Sequence, residues 1–238
     1  MIINSLFSAL SGLRTASRKL EVSANNVANV QTPGFKKSRA EIGEVSSGGA
    51  RVSAVSRSST PGSLIPTSNP LDLAVNGEGF FQVALPGGGT GFTRAGSFKV
   101  DNSGQIITAD GKPLAPKVTV PGDATGISID ASGQVSALVG GSSQAIGQIE
   151  LSRFNNAGGL TALGGNVLTE SSASGSPVSG RPGTGPFGTV ISGALESSNV
   201  DIAEEAVGQI LAKTAFKASA NVIRASDELI GTLLDIKS

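Results

Sequence analysis

Cysteine, histidine, tryptophan and tyrosine are all missing from this chain of 238 residues. Without cysteine or histidine, zinc sites of the usual kind, thiol chemistry and imidazole acid–base catalysis are excluded. No charge of either sign dominates, since 18 Lys and Arg face 18 Asp and Glu. That balance argues against a nucleic-acid partner, because such affinity comes largely from cations neutralising phosphates. No apolar run reaches the roughly 18 residues of a transmembrane helix, so none is expected. The N-terminal stretch is uncharged before Arg14 and broken by Asn4, Ser5 and Ser8, unlike a cleavable secretory signal. The absence of cysteine alone leaves the compartment open.

The remaining catalytic inventory is short. A nucleophilic serine would need lysine as its base, and no Ser-x-x-Lys pattern stands in a pocket-forming context. Asp101-Asn102-Ser103-Gly104 and Asp130-Ala131-Ser132-Gly133 lack the oxygen ladder and closing Glu of a calcium loop. Pro86-Gly87-Gly88-Gly89 is followed by Thr90-Gly91-Phe92, which reads as a hairpin turn and not a phosphate cradle. Paired carboxylates that meet only in the fold keep a cell-wall-acting enzyme as the rival class. Glycan sites use aromatic platforms, however, and nine Phe are the only aromatics here. The expectation is no enzyme: no catalytic residue, no metal and no cofactor.

With hydrophobic residues at 38% and aromatics at 4%, a core must be built from Val, Ile, Leu and Ala. Residues 1–30 predict a helix in which Ile3, Leu6, Leu10, Leu13, Ser17, Leu20, Ala24 and Val27 alternate at spacings of three and four, a coiled-coil seam. Asn25, Asn26 and Asn29 weaken it, and Thr32-Pro33-Gly34 stops it. Residues 31–70, rich in Ser and Gly, read as an extended linker or as strands too weak to stand without a partner. Its cations Lys36, Lys37 and Arg39 suit a solvated turn or, alternatively, an acidic surface on another subunit. From 71 to 188 the period changes to two. Candidate strands lie at 71–75, 80–85, 91–94, 97–100, 105–108, 117–120, 125–129, 135–139 and 146–154, followed by an irregular Gly/Ser-rich excursion. Asp101–Ile106 and Asp130–Val135 are near copies and predict two similar hairpins.

A return linker at 189–198 leads to a second helix at 199–238, capped by Ser198 or Asn199, with Asp201, Glu204 and Glu205 in its first turn. Phe216, Ser219, Ile223, Ser226, Ile230 and Leu233 form its seam. The fold class is therefore α+β, mainly β: terminal coiled-coil helices flanking one all-β domain. Two such helices can pair, yet Phe7, Val22, Val222 and Leu229 would stay on the flanks for subunit packing. A contact that does not close generates a filament. Leu6, Leu10, Leu13, Leu20, Val27, Phe216, Ile223, Ile230 and Leu233 are the candidate subunit-interface residues.

Four segments carry a resemblance. Residues 24–37 (Ala-Asn-Asn-Val-Ala-Asn-Val-Gln-Thr-Pro-Gly-Phe-Lys-Lys), 71–81 (Leu-Asp-Leu-Ala-Val-Asn-Gly-Glu-Gly-Phe-Phe), 92–98 (Phe-Thr-Arg-Ala-Gly-Ser-Phe) and 193–201 (Gly-Ala-Leu-Glu-Ser-Ser-Asn-Val-Asp) resemble, in order, the signatures of bacterial flagellar rod and hook proteins. Asn25, Asn26, Asn29, Pro33, Gly34, Phe35, Ser198, Asn199 and Asp201 are its signature residues here. Leu160-Thr161-Ala162-Leu163-Gly164-Gly165-Asn166 is most similar to distal-rod members, while the segment from 35 to 71 is shorter than theirs. Proximal-rod and hook-like positions stay open. The resemblance implies an inner tube of terminal helices with the β-domain outside, in a basal-body shaft that spans the periplasm and carries torque. It implies as partners the chain itself, other rod and hook proteins, surrounding ring proteins and the flagellar export apparatus, with export lacking a cleaved signal.

Overall fold

The computed structural model describes residues 2–46 and 48–235, and the side-chain surroundings of 4–46 and 48–232. The chain forms two compact units and crosses between them four times. A helical unit holds Met1–Val30, Lys37–Ser58 and Val200–Ser238, and a β unit holds Gln31–Lys36 and Ser59–Asn199.

The helical unit consists of helix α1 (Ile2–Ala28), a hairpin of strands β1 (Ser38–Glu44) and β2 (Ala50–Arg57), and helix α2 (Ile202–Asp235). Both helices lack proline, which lets their hydrogen-bond ladders run unbroken. The α1 ladder closes where Asn29 N–H reaches the carbonyls of Asn25 (3.2 Å) and Asn26 (3.1 Å), and its side-chain amide donates to Asn25 O. At the start of α2 the cap is Asp201, not Ser198 or Asn199. Asp201 Oδ1 accepts from the N–H groups of Ala203 (2.8 Å) and Glu204 (3.1 Å), while the Asn199 amide is directed to Thr60 O. A carboxylate there satisfies orphan donors and also faces the positive helix end.

The two helices run antiparallel. A Cβ on Gly12 would lie 2.8 Å from Ser219 Oγ, and Ser23 Oγ donates to Glu205 O. The buried stripe on α1 is Ala9, Ala16 and Ser23, at seven-residue intervals. Glu205, Ala212 and Ser226 are its buried counterparts on α2, with half-buried Ser219 in the same register. Small side chains thus form the seam. Ser17 and Ala24, expected within it, are exposed, Leu6, Leu10, Leu13, Leu20 and Val27 are half-buried on its flanks, and Ile3 lies outside the residues whose side chains are described. The hairpin docks on α1 through hydroxyls: Thr15 Oγ1 donates to Ala50 O and Ser11 Oγ accepts from Ala50 N. Residues 31–70, read as a linker or as strands that need a partner, include a paired hairpin supported by a helix.

The β unit is antiparallel throughout. Its largest sheet runs in the order Thr161–Gly164, Val167–Thr169, Thr90–Thr93, Phe80–Ala84, Leu151–Arg153, Val178–Gly180, with Leu114–Ala115 also on Phe80–Ala84. A three-stranded sheet joins Ala124–Ile129, Gln134–Val139 and Ser142–Gln148, and three two-stranded ribbons complete the unit. The expected strand at 146–154 is two, interrupted at Ile149-Glu150, and 117–120 contributes only the isolated bridge Gln105–Thr119. Alternation sends Phe80 and Phe81 to opposite faces. Phe81 joins a core with Leu73, Val75, Ile106, Leu151 and Val190. Phe80 joins Phe92, Phe154, Leu160 and Leu168.

Turn chemistry recurs. Asp101 Oδ1 accepts from Ser103 N, Ser103 Oγ and Gln105 N, and Asp130 Oδ1 repeats this with Ser132 and Gln134. Gly104 (φ +77°) and Gly133 (φ +80°) take the left-handed position that closes each turn.

Candidate assembly faces and signature sites

Within the β unit, Lys36, Arg94 and Glu196 form a buried ion cluster. Lys36 Nζ donates to Glu196 Oε1 and to Thr60 O (2.9 Å); Arg94 Nη1 reaches Glu196 Oε2 at 3.3 Å and Val75 O at 3.1 Å. Arg94 Nη2 donates to Gly77 O at 2.7 Å, its guanidinium lies 5.3 Å from the Phe80 ring centre, and Gly62 N–H donates to Glu196 Oε1. Two cations and one anion leave an excess positive charge, which these carbonyls and the ring face solvate in place of water. Burial pulls both Lys36 and Arg94 below their ordinary pKa values, and Glu196 opposes the shift. The cluster ties together one or more residues from each of the four signature segments. Around it, Gly34 (φ +69°) donates its N–H to Glu196 O, and a Cβ there would lie 2.3 Å from the Arg94 carbonyl carbon. Pro33 O accepts from Asn166 Nδ2, and Phe35 O from Asn199 N.

The helical unit carries its own polar junction. Buried Asn26 accepts from Ser38 N (2.9 Å), donates to Ser38 O (2.8 Å) and donates to Glu205 Oε1 (2.9 Å). Lys37 Nζ pairs with Glu204 (2.6 Å) and Glu205 (3.6 Å). This one asparagine fixes where α1 ends, where β1 starts and where α2 begins. Of the signature asparagines, Asn26 is buried, Asn29 closes the helix and Asn25 is exposed. The basic run thus divides: Lys36 is buried, Lys37 is paired with α2 and Arg39 is exposed. Of the three, only Arg39 is solvated, and it lies on strand β1, not in a turn.

The candidate interface residues Leu6, Leu10, Leu13, Leu20, Val27, Phe216 and Ile223 are half-buried, and Ile230 is exposed. Leu233 lies outside the residues whose side chains are described. The helices also expose Phe7, Ile202, Val207, Ile210, Leu211, Val222 and Leu229, each at 44% or more. A groove of about 1080 Å³ runs between α1, the hairpin and α2, with Arg57 among its lining residues. Arg57 Nη1 is shut off from solvent with no hydrogen-bond partner among the described residues, and burial lowers the pKa of its guanidinium. Sequence reasoning missed Arg57, the partners of Glu205 and the Arg94–Glu196 pairing. No local spacing connects them, because each acquires its partner only through tertiary contacts.

Fold and sites together describe a structural protein: a helical hairpin with exposed apolar side chains, and a β unit built round a buried ion cluster. Family models match residues 6–36 ("Flagella basal body rod protein"), 74–137 ("Flagellar hook protein FlgE/F/G D1 domain") and 191–236 ("Flagellar basal body rod FlgEFG protein C-terminal"). The chain is 37% identical to the flagellar basal-body rod protein FlgG of Buchnera aphidicola, over 98% of this chain and 99% of that one. It is 36% identical to FlgG of Caulobacter vibrioides over 99% and 100%. To the flagellar hook protein FlgE of Escherichia coli it is 33% identical, over 76% of this chain and 47% of the hook protein. The chain belongs to the flagellar rod and hook protein family. No helix among the described residues is long and apolar enough to cross a membrane.

Proposed function

We propose that this chain is a structural subunit of the flagellar basal-body rod, assembling with copies of itself and with other axial proteins into a shaft that transmits motor torque. The observation that carries this reading is the likeness to rod proteins over essentially the whole of both chains, where the hook protein is matched over less than half its length. The distal part of the rod is the favoured position, supported by the same rod relatives. Such a role requires no catalysis. The working residues are those of the helical faces: Leu6, Leu10, Leu13, Leu20, Val27, Phe216, Ile223, Ile230 and Leu233 meet neighbouring subunits. Asn25, Asn26, Asn29, Pro33 and Gly34 set the chain's path out of α1. Export through the flagellar apparatus without signal cleavage, and contact with surrounding rings, belong to the same proposal.

Deleting the gene and imaging purified basal bodies tests it. Loss of the shaft beyond its membrane-proximal part is expected; an intact rod lacking only a hook refutes the distal position. Leu13→Asp or Ile223→Asp, as the sole copy, places a charge at a subunit seam and is expected to abolish incorporation with the β unit still folded. Normal swimming by either strain removes the helical faces from the assembly mechanism.

A further inference from the structure

The groove of the helical unit differs from the apolar helix faces in having a charge preference. We propose that it receives the far end of α2 from a second copy of this chain, with Asp227 and Glu228 of the incoming helix facing Arg57, Arg39 and Lys19. This rests on the reading of the chain as an assembling subunit. The groove has a volume of about 1080 Å³. Val22, Ile42 and Leu211 line it beside the charged residues, which suits a helix face better than a metabolite.

Arg57 calls for an acceptor on the occupant, and the cations beside it set the sign. A buried guanidinium nitrogen without an acceptor is unfavourable and calls for an anion or a carbonyl from outside. The groove's acids are already engaged: Glu204 and Glu205 hold Lys37, Glu205 also accepts from Asn26, and Glu41 accepts from Ser56 Oγ. Arg39 and Lys19 line the same groove, are exposed and have no ion pair among the described residues. The complementary surface lies on α2 itself. Asp227 and Glu228 are exposed there, also without an ion pair among the described residues, beside Leu229 and Ile230 at 56% and 38% exposure. Ala212 in the groove and Glu228 are sixteen residues apart on one helix, roughly 24 Å at 1.5 Å per residue. An unbroken helix cannot fold back over that distance, so the contact must come from another copy. Because it joins two different patches, it is a heterologous contact, the kind that propagates into a shaft when its rotation does not close into a ring.

The absence of cysteine makes the test clean. In cells where this chain is supplied only from plasmids, one copy carries Ala40→Cys in the groove and another carries Gly231→Cys, one turn from Asp227 and Glu228 on the same face. After mild oxidation, a cross-linked dimer in purified basal bodies is expected only when both copies are present. Arg57→Glu is expected to reduce incorporation at least tenfold, as is Glu228→Arg, and the two together in one chain should restore it. Basal bodies that incorporate the chain but give no cross-link, with Arg57→Glu harmless, overturn the groove contact and leave the rod reading standing. Failure of the unsubstituted chain to enter basal bodies sinks both. Cross-linking of the groove cysteine to a different axial protein, and never to the second copy, also overturns the proposal.

Discussion

The two units of this molecule bury opposite kinds of residue. In the β unit the fully buried side chains are large: Phe81, Phe92, Leu73, Ile106 and Leu151 among them. Both apolar core clusters among the described residues belong to it. In the helical unit the buried set is Ala9, Thr15, Ala16, Ser23, Asn26, Val200, Glu205, Ala212 and Ser226, mostly small or polar, while Val207, Ile210, Leu211 and Leu229 stand in solvent. Burial of apolar area is worth about 25 cal/mol per Å², so the first unit has a hydrophobic reason to fold by itself. The second keeps much of its apolar surface for other chains, and isolated helices owe most of their stability to what they pack against. One unit is a finished object; the other is half of an interface.

The comparison breaks most sharply in the β unit. Glu196→Ala leaves Lys36 and Arg94 buried without their anion, and a loss of about 3–5 kcal/mol is expected. Hydrogen exchange should show Leu73–Asn76 and Phe80–Ala84 opening together. Phe81→Ala should cost a similar 3–5 kcal/mol through its cavity, read from denaturant unfolding. In the helical unit, Gly12→Val drives a side chain into Ser219. It should cost about 1–3 kcal/mol and lower helicity by circular dichroism without touching β-unit exchange. Leu211→Ser, on the exposed face, should shift monomer stability by no more than about 0.5 kcal/mol yet reduce assembly. A large loss of monomer stability there would mean that the face is already covered.

Acid should separate the units only weakly. The Asp101 and Asp130 carboxyls lie below the usual 3.8, held first by the hydroxyls of Ser103 and Ser132 and then by the N–H groups of Gln105 and Gln134. A depressed folded pKa contributes stability that is fully present above the unfolded value and lost as pH falls through the folded one. The hairpins should therefore loosen only below about pH 4. Carboxyl NMR titration checks this, and Asp130→Ala should remove that hairpin's share of the dependence.

What was legible in the sequence was local. The two Asp-x-Ser-Gly turns declare themselves within five residues, because donor, acceptor and left-handed glycine are neighbours in the chain. The period-two runs belong to the same class, whereas the stop of α1, read at Thr32-Pro33-Gly34, comes earlier, after Ala28. The helix seam was misplaced because hydrophobicity selects the leucines. The chain pairs its own helices through Ala9, Gly12 and Ala16, where small size brings the backbones close and large residues are pushed to the sides. The cap of α2 was missed by a few residues for a related reason: Ser198, Asn199 and Asp201 all have capping chemistry, and Asn199 is used elsewhere, on Thr60. The ion cluster was not legible at all. Lys36 reads as one charge of a basic turn until tertiary structure sets Glu196 against it.

That cluster also imposes a schedule. Glu196 lies 160 residues after Lys36 and 102 after Arg94, and it is the last member of the cluster to leave any machine that delivers the chain N terminus first. Until it arrives, two cations have no counter-ion and cannot be withdrawn from water at acceptable cost. The early strands therefore have a built-in reason to wait. In any chain released from its N terminus, the ion cluster is expected to close only after Glu196 is out.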